Sequence, residues 1–352
     1  MSMKQSKWVK MIEKKPYLHF LCKSLSRIWK RDLNYIQFAL NEYSNPRRLT
    51  VQKLGDNNRG SLIYVIREQG NGYGFFAELR SLLCELLFAE ELGMIPHVFW
   101  GENHVYYEGE KENVSANVFE NYFLPVSVDE CLTSRNIVMS SSLQCKYIED
   151  GYHVQGYISS EAFDEALVSV LKKYIHIKPE LICEFEKDRN SFFQDARVLG
   201  IHHRGTDYKE GYSGHPAAVD FYQEIDKAKK LLKKYDLQYV FLATDDKDVI
   251  EQYQSEFGGN VKFYQNTYRS NGKESIAFSS SDRELHHYLL GKEVLRDVYM
   301  LSKCNVLLSG KSQVSYFARL FNSCDSDFLR YEQIELIDNG INKGTKYFKR
   351  KQ

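Results

Sequence analysis

An α/β fold of doubly wound parallel sheets, arranged as two domains with a cleft between them, is predicted by three observations. Short apolar, β-branched runs alternate with longer segments of helical periodicity along most of the chain, and that alternation is the pattern of parallel βαβ units. At 352 residues the chain exceeds one ordinary core, since domains run to roughly 150 residues. Each apolar run ends in polar or glycine-rich residues, and open α/β sheets bind ligands at the carboxyl ends of their strands.

Residues 1–48 carry eleven Lys or Arg against three acids, interleaved with Trp8, Met11, Ile12, Leu18, Leu21, Leu25, Ile28 and Trp29. A basic amphipathic pair of helices has two readings: contact with an anionic membrane surface, or apolar faces packed on the next domain. Residues 62–66 read as a strand, followed by Gly70-Asn71-Gly72-Tyr73-Gly74 and a helical pattern through Leu79, Leu82, Leu83, Leu86, Leu87 and Leu92. Strand, glycine turn and helix can cradle a phosphate, because amides at a helix N-terminus carry partial positive charge. The same glycines serve a tight turn equally well, and they match neither the dinucleotide fingerprint nor the Walker pattern. Residues 95–100 and 136–139 read as further strands, with a packed loop at 119–127 between them. A helix over 162–174 and the charged stretch 184–189 lead into the second domain.

The second half opens with a buried strand at 197–203 that ends in His202-His203-Arg204-Gly205-Thr206-Asp207. Arg204 offers a fixed fork to a diphosphate, Gly205 lets backbone amides approach it, and Asp207 can orient a partner or accept a proton. A surface turn with a chance polar cluster is the plain alternative. A helix over 221–234 leads to a strand at 239–243 ending in Thr244-Asp245-Asp246. These acids fit either magnesium held against phosphates or the N-cap of the helix at 247–257. A strand at 261–264, a helix at 291–303, a strand at 305–309, Gly310-Lys311-Ser312-Gln313 and a helix to 321 complete the pattern. Gly310-Lys311-Ser312 is no Walker loop, since the first glycine of that motif would fall at Asn305. In His202-His203 and His286-His287 adjacent rings point to different faces, which disfavours a metal site built from either pair.

Lys plus Arg and Asp plus Glu are equal at 47 each, which argues against a protein whose main task is to coat nucleic acid. Hydrophobic residues at 43% and aromatics at 14% suffice to fill two cores. The seven cysteines are scattered without a Cys-x-x-Cys pair or zinc-like spacing, so they read as reduced core residues. No run is apolar enough to span a bilayer and the basic N-terminus lacks the features of a signal peptide, so a cytoplasmic location is expected.

Taken in order, the motifs resemble the α1,6-fucosyltransferases, including the rhizobial nodulation-factor fucosyltransferase, with protein O-fucosyltransferases as more distant relatives. Gly70 to Gly74 followed by Leu79, and then Phe123-Leu124-Pro125-Val126-Ser127, resemble the glycine-rich segment and the Pro-Val-Ser segment of that family. His202-His203-Arg204-Gly205-Thr206-Asp207 is similar to its His-x-Arg-Arg-Thr-Asp signature, with His215-Pro216 close to its expected place. Phe241-Leu242-Ala243-Thr244-Asp245-Asp246 resembles the second motif, and Asp297, Leu301-Ser302 and Ser312-Gln313-Val314 the third. The likeness covers about residues 62–322, and five motifs in order are far more specific than any one.

The resemblance implies a GT-B-like architecture, two Rossmann-type domains facing each other across a cleft. Its boundaries would be a basic helical segment at 1–48, an acceptor-side domain at 49–190, a GDP-sugar domain at 191–325 and a tail at 326–352. It further implies an inverting, metal-independent transfer of L-fucose from GDP-fucose to a glycan hydroxyl, α1,6-type, with no cofactor. Position by position, His202 and Asp297 would recognise guanine and Arg204 would hold the β-phosphate. Gly72, Tyr73, Gly74, Ser312 and Gln313 would complete the diphosphate cradle, and Asp245 belongs to the donor-binding set. Arg204, Asp207 and Glu210 are the catalytic candidates, Asp207 and Glu210 as acceptors of the hydroxyl proton. The sequence departs from the family at Gly205, which replaces the second arginine, and in a stretch from Asp207 to His215 that is one residue shorter. The acceptor would be a glycan, lipid-linked or part of a surface polysaccharide, met at the inner face of a membrane if the basic N-terminus docks there. The alternatives are another GDP-sugar or an α1,2 linkage, or a non-catalytic GDP-sugar-binding subunit of an envelope-glycan complex.

Overall fold

A computed structural model describes residues 25, 51–57, 60–69, 73–127, 133–154, 159–212, 214–270, 275–325, 330–338 and 340–343, without the side chains of Ser142, Thr206 and Asp207. Apart from Leu25, the basic segment at 1–48 lies outside the described residues, as does Gly72.

The first unit is a four-stranded sheet in the order β1-β4-β2-β3. Its strands are β1 (Val51–Gln52), β2 (Ile63–Arg67), β3 (Ile95–Phe99) and β4 (Ile137–Met139). β2 pairs in parallel with β3 and β4, while the short β1 adds antiparallel to β4. Pro96 is accommodated because β3 is an edge strand, where a missing N–H costs no ladder bond. Helix α1 (Phe75–Glu91) is buried nearly all round because it lies under more than its own sheet: Phe76 packs on Phe317 of the second unit, ring centroids 4.9 Å apart. Helices α2 (Ser142–Gly151), α3 (Glu161–Tyr174) and α4 (Pro179–Phe193) follow. Ser160 caps α3 by accepting from the Phe163 N–H, and Pro179 opens α4, where its missing donor is harmless.

The second unit is an all-parallel five-stranded sheet in the order β7-β6-β5-β8-β9, the arrangement of a doubly wound α/β domain. β5 (Val198–His203), β6 (Tyr239–Thr244), β7 (Val261–Lys262), β8 (Val306–Gly310) and β9 (Gln333–Ile337) alternate with α5 (Thr206–Lys209), α6 (Phe221–Lys234), α7 (Lys247–Phe257), α8 (His286–Ser302) and α9 (Gln313–Cys324). Leu199, Ile201, Val240, Leu242 and Leu308 pack on one face against α6 and α7. The opposite face packs on α8 and α9 and merges with the core of the first unit. Strand order reverses between β5 and β8, and a crevice must open there because the two connections leave in opposite directions.

Segment 326–352, expected as a tail, is corrected by two observations. Residues 333–337 form β9, parallel to β8, and Asn342 donates its N–H to the His215 carbonyl at 2.8 Å. The edge strand alternates apolar and polar residues over only five positions, a signal too short to separate from a charged terminus.

The two units meet at close quarters. Tyr122, from the expected packed loop, stacks on Tyr288 and donates its hydroxyl to the Tyr288 carbonyl at 2.9 Å. A Cβ on Gly291 would lie 2.2 Å from that hydroxyl. Gly291→Ala is therefore expected to cost about 1–3 kcal/mol by overpacking, less in a Tyr122→Phe background, as a double-mutant cycle of unfolding free energies will show.

Candidate functional site

Period-two alternation along β5 sends its last two side chains to opposite faces, and each finds a different task. His202, on the α9 side, places Nδ1 3.1 Å from the Ser312 hydroxyl. Ser312 caps α9 by accepting from the Ser315 N–H at 3.1 Å. Burial, reinforced by the nearby Arg204 charge, pushes the His202 imidazole down to about 3, so it is a neutral hydrogen-bonding group. His203, on the other face, meets the fully buried Glu224 of α6 at 2.6 Å, and Tyr253 donates to the same carboxylate oxygen at 2.5 Å. Burial opposes a charge on His203, but the Glu224 hydrogen bond and charge prevail and raise it. Glu224 and Tyr253 were missed in the sequence, where only the divergence of the two rings signalled a division of labour.

Beyond β5, one carboxylate arranges the turn. Asp245 accepts from the Arg204 guanidinium at 2.5 Å and from the Gly205 N–H at 3.0 Å. It thus acts through Arg204, fixing the direction of the fork. The neighbouring Asp246 caps α7 through the Asp248 N–H at 3.1 Å and forms an ion pair with Lys209. Of the two readings of this acidic pair, the helix cap describes Asp246. Glycine at 205 also finds its reason here, since a Cβ would lie 2.5 Å from the Asp246 Cβ and 2.6 Å from its carboxylate. Gly205→Arg, which would restore the arginine doublet, is expected to cost about 1–3 kcal/mol of stability. Thermal unfolding checks this, and unchanged stability would show that the turn has room.

The crevice is a cleft of about 540 Å³ lined from both units, by Tyr73 and Gly74 on one side and by Arg204, Tyr208, His215, Ser312 and Gln313 on the other. Two helix N-termini open on it, α1 at Gly74 and α9 at Ser312, and both present amides and a positive dipole end to an anion. The Gln313 side-chain oxygen is buried without a protein partner among the described residues. Across the cleft the end of the segment after β2 is anchored: Gln69 donates its backbone N–H to both Glu78 oxygens, at 2.9 and 3.1 Å, and its side-chain amide to Glu85 at 2.6 Å. Burial pushes the Glu85 carboxyl well up, with the nearby Cys145 adding to the effect. These two acids on the buried face of an apolar helix were the available signal for this anchor.

The remaining expected residues are placed less centrally. Asp297 sits one turn beyond Val294, which lines the cleft, and among the described residues it makes no hydrogen bond or ion pair. Burial pushes its carboxyl up to about 6 against the pull of Arg296 and Arg269. Arg269 is engaged by the carbonyls of Thr244, Thr267 and Tyr264, and Arg296 lies 3.4 Å over the Tyr264 ring. Among the described residues Glu210 does not line the cleft, and the acid that does is Glu149. Asp207 is the second residue of α5, two positions after Gly205.

Among solved structures the chain is similar to NodZ alpha-1,6-fucosyltransferase soaked with GDP-fucose, at 17% identity and a TM-score of 0.47, over 74% of this chain and 92% of that one. It is similar to fucosyltransferase NodZ from Bradyrhizobium at 16% identity and a TM-score of 0.46, over 74% and 93%. It is also similar to POFUT1 in complex with GDP, at 9% identity and a TM-score of 0.46, over 82% and 99%. No protein-family model and no curated protein matches the sequence. Among the described residues no helix is long and apolar enough to cross a membrane.

Proposed function

We propose that this chain transfers L-fucose from GDP-fucose to a glycan hydroxyl, α1,6-type, with inversion at the anomeric carbon and without a metal at the diphosphate. The observation that carries this reading is the convergence of the Arg204 guanidinium with the N-termini of α1 and α9 on one cleft at the strand-order reversal. Departure of GDP from an oxocarbenium-like centre builds negative charge on the β-phosphate. A guanidinium already oriented by Asp245, together with helix-end amides, stabilises that charge with little reorganisation. Tyr73, Gly74, Ser312 and Gln313 close the cradle.

In this reading His202 and Asp297 recognise guanine, the neutral imidazole exchanging hydrogen bonds and the unpartnered carboxyl accepting from ring N–H groups. Asp207, from the segment after Arg204, takes the acceptor's proton. The acceptor is a glycan, and the five ordered motifs support the guanine nucleotide more directly than the sugar it carries.

Calorimetric titration of the purified protein with GDP, GDP-fucose, GDP-mannose and a UDP-sugar, with and without EDTA, tests the reading. Binding of GDP and GDP-fucose in the micromolar range that survives EDTA is the expected result. Equal binding of uridine and guanosine nucleotides would overturn it.

A further inference from the structure

We propose that Cys84, Cys145 and Glu149 form a binding site for one thiophilic divalent cation, zinc foremost, on the first unit's wall of the cleft. This inference does not rest on the sugar-transfer reading, because it involves neither Arg204 nor the two helix N-termini.

The three ligand atoms lie within 4.8 Å of one another. Cys84 comes from α1, while Cys145 and Glu149 stand four residues apart on α2 and so share one face of that helix. Around tetrahedral zinc, with bonds of about 2.0–2.3 Å, three such donors stand roughly 3.3–3.8 Å apart. Contraction by about 1 Å, within reach of side-chain rotation, therefore completes three corners of a tetrahedron. Soft sulfur ligands select zinc over magnesium or calcium.

Two further features suit a bound ion. Arg80 holds the Glu149 carboxylate at 2.9 Å. Two thiolates and a carboxylate around a divalent ion leave one net negative charge, and the guanidinium offsets it while orienting the ligand from outside. Second, Cys145, Glu149 and Arg80 all line the cleft, whereas Cys84 is buried behind them. Three protein ligands with the fourth position open to a cleft are the arrangement of zinc sites that exchange water for a substrate oxygen, unlike the closed four-ligand sites that only brace a fold. The occupant of that position would be a hydroxyl or carboxylate of a molecule in the cleft. Sequence spacing concealed the cluster, because Cys84 and Cys145 belong to different helices and only the packing of α1 on α2 brings them together.

Anaerobic titration of the reduced full-length chain with cobalt(II) tests the site. The expected result is one equivalent bound, with intense thiolate-to-cobalt charge-transfer absorption and tetrahedral d–d bands, both removed by one equivalent of zinc. Cys145→Ser and Cys84→Ser should each weaken the charge-transfer band. Glu149→Gln should keep that band while lowering affinity, and Arg80→Gln should lower affinity about 10-fold. Circular dichroism of each variant separates loss of the site from loss of the fold, and Cys145→Ser, at the partly exposed thiol, keeps the test valid if Cys84→Ser does not fold. Absence of thiolate absorption in the reduced wild type would overturn the proposal, as would a band that persists undiminished in the folded Cys145→Ser variant.

Discussion

On the proposed sugar-transfer reading, replacing Arg204 with alanine should lower the rate of transfer about 10²- to 10³-fold, the effect of removing one preorganised donor from a developing negative charge. Arg204 carries the cation at the end of β5 that faces the cleft together with Ser312 and Gln313. Its direction is set by Asp245 at 2.5 Å, and it lies 5.6 Å from the centre of the Tyr208 ring. Arg204→Lys should recover little, because an ammonium is a point charge that cannot engage both Asp245 and a phosphate in a fixed fork. Asp245→Asn, which keeps an acceptor for the Gly205 N–H but weakens the hold on the guanidinium, should give an intermediate loss that falls mainly on kcat. Steady-state kinetics of transfer and of donor hydrolysis check these outcomes, with melting temperatures confirming that the variants are folded. Normal hydrolysis and transfer by Arg204→Ala would remove Arg204 from the leaving-group site.

The largest effect on stability is expected at His203. Truncation to alanine leaves Glu224 buried with Tyr253 as its remaining hydrogen-bond partner. Stripping one member from a buried ionic pair costs about 3–5 kcal/mol, since the surviving charge keeps its desolvation penalty. The sign of the pH dependence follows from the raised imidazole pKa. A group raised in the folded state contributes stability that is fully present below the unfolded value of about 6.5 and is lost as pH rises through the folded value. The stability gap between wild type and His203→Gln should therefore be widest below about pH 6.5 and narrow above it. Denaturant unfolding of both proteins across that range measures it, and a gap that widens with rising pH would contradict the charged pair.

Much of the fold was legible because burial leaves a local record. The β-branched runs at β5, β6 and β8 and the periodic segments at α1, α3, α6 and α7 lie where composition and spacing place them. Where that record is short or ambiguous the reading fell behind. β1 has two residues, β9 is a five-residue edge strand, and α8 begins at His286, ahead of the expected 291, because Leu285 supplies a left-handed N-cap that apolar spacing does not reveal.

The cleft was legible for a related reason. Parallel strands end on one side, so the residues after each strand had to gather there, and Tyr73, Gly74, Arg204, Ser312 and Gln313 do. Glu210 was placed by proximity in sequence to that gathering point, but the turn after Arg204 carries it past the cleft lining.

By itself, then, the sequence determined the alternation of strands and helices, the end of the sheets at which polar residues collect, and the ordered motifs that resemble a fucosyltransferase. Those properties depend on neighbours within a few residues, which is where backbone periodicity and turn chemistry act. Only the tertiary structure decided that Asp245 aims Arg204, that Glu224 holds His203, that Glu78 and Glu85 hold Gln69, and that two cysteines meet beside Glu149. These are side-chain contacts between separate elements. No local pattern encodes such a pairing, because a polar group's partner is chosen by whichever complementary group the packed sheets and helices bring within hydrogen-bond reach.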